Sequence, residues 1–212
     1  MLKLHYEILP KKQKELWTKL SKHYVSLDDW GFYLAGGTAL ALQLGHRQSV
    51  DFDFFSQKMG VRTTLHQWLE QFPNYLLREG DEHTIHAELD GVKISFIGGY
   101  RYPLVEPCSE EGQRIKLASI LDIAVMKLLA ISHRAALRDY LDLALIIRDH
   151  FSLEKLLEAS GKKYGKNFNK MIPLRALVSF QDLDQEWPVL LDKKLAKSWQ
   201  SILQKAVKEI VV

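Results

Sequence analysis

The chain has 212 residues, a hydrophobic fraction of 47%, a charged fraction of 26% and a formal net charge of +3. That length supports a real core without disulfides or a structural metal, and the mild positive charge does not by itself indicate a nucleic-acid binder. The lone Cys108 excludes a disulfide framework and any cysteine-based zinc site, and with no apolar run of signal-peptide or membrane-span length the chain reads as soluble and cytoplasmic.

Residues 10–23 space Leu16, Trp17 and Leu20 at helical intervals with lysines opposite, which predicts a helix docked along one side. Residues 30–35 are aromatic and bounded by glycines, a short buried strand. Gly36, Gly37 and Thr38 form a turn, and Thr38 is placed to cap a helix over residues 39–44 that stops at Gly45. A polar loop, His46 to Ser49, leads into a strand over residues 50–55, in which Asp51 and Asp53 alternate with Phe52 and Phe54.

A helix over residues 61–72 ends at Pro73, and strands follow at 75–78, 84–89 and 92–97. Asp90-Gly91 is a two-residue hairpin signal. His83 and His86 read as solvated hairpin residues rather than metal ligands. From residue 114 the pattern is helical: 117–133, 137–148, about 152–163, 174–180 and 193–210, with residues 161–169 a basic loop or linker. No internal repeat is visible. The expected architecture is α+β, a mixed sheet with helices over residues 1–113 and a helical bundle over 114–212.

Two aspartates on one face of a strand repel unless a cation or donor offsets them, and aspartate is depleted in strands. A hard divalent ion such as Mg²⁺ or Mn²⁺ fits that pair. The glycine turn upstream opens a helix whose free N–H groups suit a phosphate. The turn is neither a Walker A loop nor a dinucleotide fingerprint. Ser49 is in phase with Asp51 and fits a phosphate contact or a plain polar loop.

The combination of Gly36, Gly37, Thr38 and Ala39 with Arg47, Ser49, Asp51, Asp53, Phe54 and Phe55 resembles the nucleotidyltransferase superfamily, and more narrowly the AbiEii/AbiGii-type nucleotidyltransferase toxin family. Further matches are residues 91–96, 122–124, 126–128 and 138–143, together with Arg134, Phe180, Asp182, Trp187 and Pro188. The resemblance implies a nucleotidyltransferase-like first domain and a helical domain that completes the active site. It implies Mg-dependent transfer of a nucleoside monophosphate from an NTP to an acceptor hydroxyl, with a tRNA 3′ end as the acceptor. It also implies a toxin of a type IV-like toxin–antitoxin or abortive-infection module, with an antitoxin partner.

On that resemblance Asp51 and Asp53 hold metal, and Gly36, Gly37, Thr38, Arg47 and Ser49 contact the nucleotide. Lys127 touches the triphosphate, and Asp139 acts as base or support. Ser95 stands where many nucleotidyltransferases carry a third carboxylate. That neutral residue leaves room for a nucleotide-binding protein without chemistry, and the acceptor is open to a protein or small-molecule hydroxyl. The spacing of Arg138 and Asp142 also fits a plain intrahelical ion pair. Lys162, Lys163, Lys166 and Lys170 are candidate contacts to a nucleic-acid backbone, or a solvated basic linker.

Overall fold

A computed structural model of the chain describes residues 2–60 and 62–211, with Tyr24, Val25, Ser26 and Val211 described in backbone only. The chain divides into two compact units, Met1–Ala118 and Ser119–Val212. The boundary falls beyond residue 113 because Leu117 is bridged to both Leu34 and Cys108, which keeps residues 114–118 with the sheet.

The first unit begins with α1 (Lys11–Asp29), which runs past residue 23 and ends where Gly31 turns the chain at φ +69°. Strand β1 (Tyr33–Ala35) is shorter than expected because Trp30 and Gly31 belong to that turn. There follow α2 (Gly36–Leu44), β2 (Phe52–Phe55), α3 (Arg62–Leu69), β3 (Tyr75–Gly80), β4 (Thr84–Leu89) and β5 (Val92–Ile97). Val61, expected to open α3, lies outside the described residues. The strands form one sheet in the order β1-β2-β5-β4-β3, with β2 and β5 parallel and the other pairs antiparallel.

Alternation gives this sheet two unlike faces. Phe52, Phe54, Ile94, Phe96, Ile85 and Ala87 are in register on one face and buried. Aromatic packing knits that face: Phe54 stacks on Phe96 at 5.3 Å, Trp17 of α1 lies 6.1 Å from Phe52, and Trp68 of α3 lies 6.5 Å from Phe96. Each such ring buries a large apolar area, beside a core otherwise made of aliphatic side chains. The opposite face carries Asp53, Ser95 and His86 side by side.

The β4–β5 turn has φ +52° at Asp90 and +75° at Gly91, the two positive values that a type I′ hairpin requires. Asp90 also accepts from Asn74 at 2.8 Å and pairs with Lys19. Lys19, then Asn74, hold its carboxyl below the usual range.

The second unit holds α4 (Ile120–Ala130), α5 (Leu137–Asp149), α6 (Leu153–Tyr164), α7 (Met171–Ala176) and α8 (Leu195–Val211). Ser119 caps α4 by accepting from the Asp122 N–H at 3.0 Å, and Ser152 caps α6 through Lys155. Helix α5 has no side-chain cap of its own. Asp184, far along the chain, supplies one by accepting from the Leu137 N–H at 3.0 Å. Trp199 of α8 packs edge-on to Phe180 and Tyr140.

The expected linker at 161–169 is not one. Residues 161–164 complete α6, and Lys163 is buried with its ammonium 2.7 Å from Asp122. That pairing removes Lys163 from the candidate nucleic-acid contacts. Lys162, Lys166 and Lys170 remain exposed.

Candidate active site

Helix α2 starts at Gly36, so Ala35 is the N-cap and Gly36-Gly37-Thr38 form the first turn. Thr38 is therefore inside the helix rather than capping it. Its hydroxyl lies 2.7 Å from Ser49 Oγ and donates to the Asp51 carbonyl. These bonds fasten the helix start to the approach of β2. The first-turn N–H groups have no intrahelical acceptor, and the helix dipole adds positive potential there.

Both glycines are required by close neighbours. Gly36 has φ +67°, and a Cβ there would lie 3.1 Å from Asp53 Oδ2. A Cβ on Gly37 would lie 2.5 Å from Arg47 Nη2. Arg47 is 3% exposed and donates from Nη1 to the Gln48 carbonyl at 3.1 Å. Its guanidinium therefore lies against the glycine turn and adds a fixed positive charge beneath it.

The expected nucleotide contacts thus separate into two groups. Thr38, Ser49 and Arg47 are buried and shape the turn with their side chains, a role that sequence spacing alone does not reveal. Gly36, Gly37, Asp51 and Asp53 keep partial exposure. Asp51 precedes β2 rather than lying within it, yet Asp53 remains in register with Ala35 on one side and Ser95 on the other.

Two half-buried carboxylates beside free helix N–H groups suit a hard cation that takes its remaining ligands from phosphate oxygens and water. Among the described residues no group of three or more His, Cys, Asp or Glu side chains forms a ready-made metal cage. A cation here would accordingly be shared with its anionic substrate.

Next to Asp53, Ser95 occupies the expected third-carboxylate position, and its Oγ lies 3.1 Å from His86 Nδ1. His86 is half-buried and engaged, not a simply solvated residue. The signal was present in the sequence. A two-residue Asp90-Gly91 turn pairs 89 with 92, and counting back pairs 86 with 95.

In the second unit Lys127 is buried between two carboxylates, 2.8 Å from Asp139 and 2.6 Å from Asp142. Asp139 also receives Arg134, through Nε and Nη2 at 2.9 Å each. Burial disfavours the charged Asp139, but Lys127, joined by Arg134, outweighs it and holds the carboxyl below the usual range. With both oxygens occupied, Asp139 is built as a support for Lys127 rather than as a proton acceptor. Asp142 on α5 also pairs with the Lys127 ammonium of α4, a contact between helices.

The sequence was compared with known proteins. The family described as nucleotidyl transferase AbiEii toxin, type IV TA system, matches residues 23–210. The uncharacterized protein aq_aa25 of Aquifex aeolicus (strain VF5) is 36% identical over 182 residues, covering 84% of this chain and 86% of the relative. Among solved structures, the nucleotidyltransferase toxin MenT4 (Rv2826c) of Mycobacterium tuberculosis H37Rv matches 92% of this chain and 82% of its own, with a TM-score of 0.58 at 13% identity. The antibiotic-resistance factor ANT(2'')-Ia matches 69% of this chain and 89% of its own, with a TM-score of 0.54 at 12% identity. These two share the fold, a mixed sheet with helices. The family match over most of the length decides the assignment: this chain belongs to the AbiEii nucleotidyl transferase toxins of type IV toxin–antitoxin systems.

Proposed function

We propose that the protein transfers a nucleoside monophosphate from an NTP to a hydroxyl at a tRNA 3′ end, using Mg²⁺ or Mn²⁺ held by Asp51 and Asp53. The observation that carries this reading is the approach of Gly36 to the Asp53 carboxylate, which sets a helix N-terminus and a metal-type carboxylate at one point. The cation would neutralise the triphosphate and polarise the reacting phosphoryl group. Gly36 and Gly37 present backbone N–H groups to phosphate oxygens. Arg47, lying against Gly37, supports the same charge without leaving its buried position. The acceptor oxygen bonds to the α-phosphorus, the bond to the bridging oxygen breaks, and pyrophosphate leaves. Positioning and electrostatics supply most of the rate.

In the helical unit, Asp139 and Asp142 fix the Lys127 ammonium. An antitoxin partner and a cytoplasmic location accompany the toxin assignment. No described helix is long and apolar enough to cross a membrane.

The test incubates the protein with each α-labelled NTP and Mg²⁺, offering total tRNA, a protein mixture and small hydroxyl compounds as separate acceptors. The reading expects label in tRNA from wild type and about 10²–10³-fold less from Asp53→Asn. Label in the protein or small-molecule arm would move the acceptor to that class. Absence of label in every arm would leave a nucleotide-binding protein without transferase chemistry.

A further inference from the structure

The row that begins at Asp53 does not end at Ser95. Asp53 is paired with Ser95 across β2 and β5, and Ser95 with His86 across β5 and β4. Adjacent strands lie about 4.8 Å apart, so His86 stands two strands from Asp53 on the same face. Its Nδ1 is 3.1 Å from Ser95 Oγ, so the imidazole leans toward the Asp53 side of its strand. Its Nε2 makes no hydrogen bond among the described residues.

We propose that His86 is a catalytic residue of the transfer reaction, receiving at Nε2 the proton of the attacking acceptor hydroxyl, with Ser95 as the positioning residue that holds its ring. The inference rests on the transferase reading given above.

The proposed role takes the tautomer with its proton on Nδ1, one of the two that the contact with Ser95 accommodates. A serine oxygen can accept from Nδ1–H, and imidazole with its proton on Nδ1 has a bare Nε2 lone pair. The acceptor O–H loses its proton to that lone pair as the oxygen bonds to the α-phosphorus. The electron pair of the breaking bond departs with pyrophosphate, so charge and atoms balance. Ser95, a neutral hydroxyl, is too weak a base to remove that proton itself, yet it fits the task of fixing the ring that does. Asp139 is unsuited to the same task, because Lys127 and Arg134 already occupy both of its oxygens.

The surroundings of His86 on this face are mixed in charge. Glu79 is its register partner on β3, while Thr84 and Glu88 flank it on β4. Lys93 accompanies Ser95 on β5, and Arg78 ties up Glu88 at 2.9 Å. Opposite charges thus stand on both sides of the ring, and no ion pair among the described residues immobilises it.

The experiment compares wild type, His86→Ala, Ser95→Ala and Asp53→Asn, with total tRNA, each α-labelled NTP and Mg²⁺, over a range of pH. His86→Ala should lower turnover about 10²–10³-fold with the KM for NTP nearly unchanged. The decline of wild-type rate toward acid pH should vanish in that variant, and added imidazole should restore part of its turnover. Ser95→Ala should lose less and keep the acid decline. His86→Ala with wild-type turnover and pH profile overturns the proposal. A loss that imidazole does not restore, or one expressed as a raised KM, also overturns it, since packing or substrate binding would then be the role. Those outcomes leave the transferase reading intact as long as Asp53→Asn lowers labelling about 10²–10³-fold. If wild type labels nothing, both fall together.

Discussion

Gly36 presents its α-carbon to the Asp53 carboxylate so closely that a β-carbon would stand 3.1 Å from Oδ2, in a backbone conformation with φ +67°. Gly36→Ala therefore meets two obstacles, left-handed strain of about 1–2 kcal/mol and displacement of the carboxylate. The expected result is a melting temperature lower by several degrees and nucleotidyl transfer reduced at least about tenfold. Calorimetry and the tRNA-labelling assay measure the two effects separately.

Asp51→Asn and Asp53→Asn keep the shape of the side chains and remove the charge. Each should fold normally and reduce transfer about 10²–10³-fold, the scale on which single electrostatic contributors to a transition state are felt. Circular dichroism checks the fold, and titration of Mg²⁺ with an NTP checks the loss of joint binding.

Gly37 and Arg47 form a steric pair. Gly37→Ala puts a methyl 2.5 Å from the Nη2 position, and the buried guanidinium has little room to retreat. Gly37→Ala should cost about 1–3 kcal/mol, whereas in an Arg47→Ala background the same change should cost much less. A double-mutant cycle by denaturant unfolding reads the coupling. Strict additivity would rule out the contact as its source.

Lys127, Asp139 and Asp142 form a buried triad in the helical unit. Lys127→Ala strands two carboxylates in the interior and should destabilise by about 3–5 kcal/mol, while Lys127→Arg should be milder. For pH the sign is set by Asp139, whose folded carboxyl titrates below its unfolded value. Its stabilisation is fully present above the unfolded value near 3.8 and is lost as pH falls through the lower folded value. Melting curves between pH 6 and roughly pH 2.5 should show the wild type losing ground below about pH 4, with Asp139→Asn flatter over that window.

Hydrophobic periodicity and turn chemistry made much of this architecture readable. Strands 84–89 and 92–97 have in the structure the bounds that the sequence predicts, and Asp90-Gly91 fixes where the first ends and the second begins. The glycine turn and both aspartates were equally visible. What could not be read was which polar side chains turn inward. Arg47, Thr38 and Ser49 look like ligands in a polar loop, and only packing shows them holding the turn from beneath. Lys163 misled in the same way, since a basic tract reads as a linker until its partner Asp122 is found 41 positions away. His86 reads as a solvated hairpin residue for the opposite reason: its pairing with Ser95 emerges only when the register is counted back from the Asp90-Gly91 turn.

The parallel pairing of β2 with β5 also bears on how the protein is made. The β4–β5 hairpin closes over a two-residue turn, so Ser95 and His86 can meet early in folding. Asp53 joins them only when β2 docks beside β5, a contact between residues 42 positions apart that carries a larger loop-closure entropy. A nascent chain halted after the hairpin but before that docking holds His86 beside Ser95 while Asp53 still lies out of line with them.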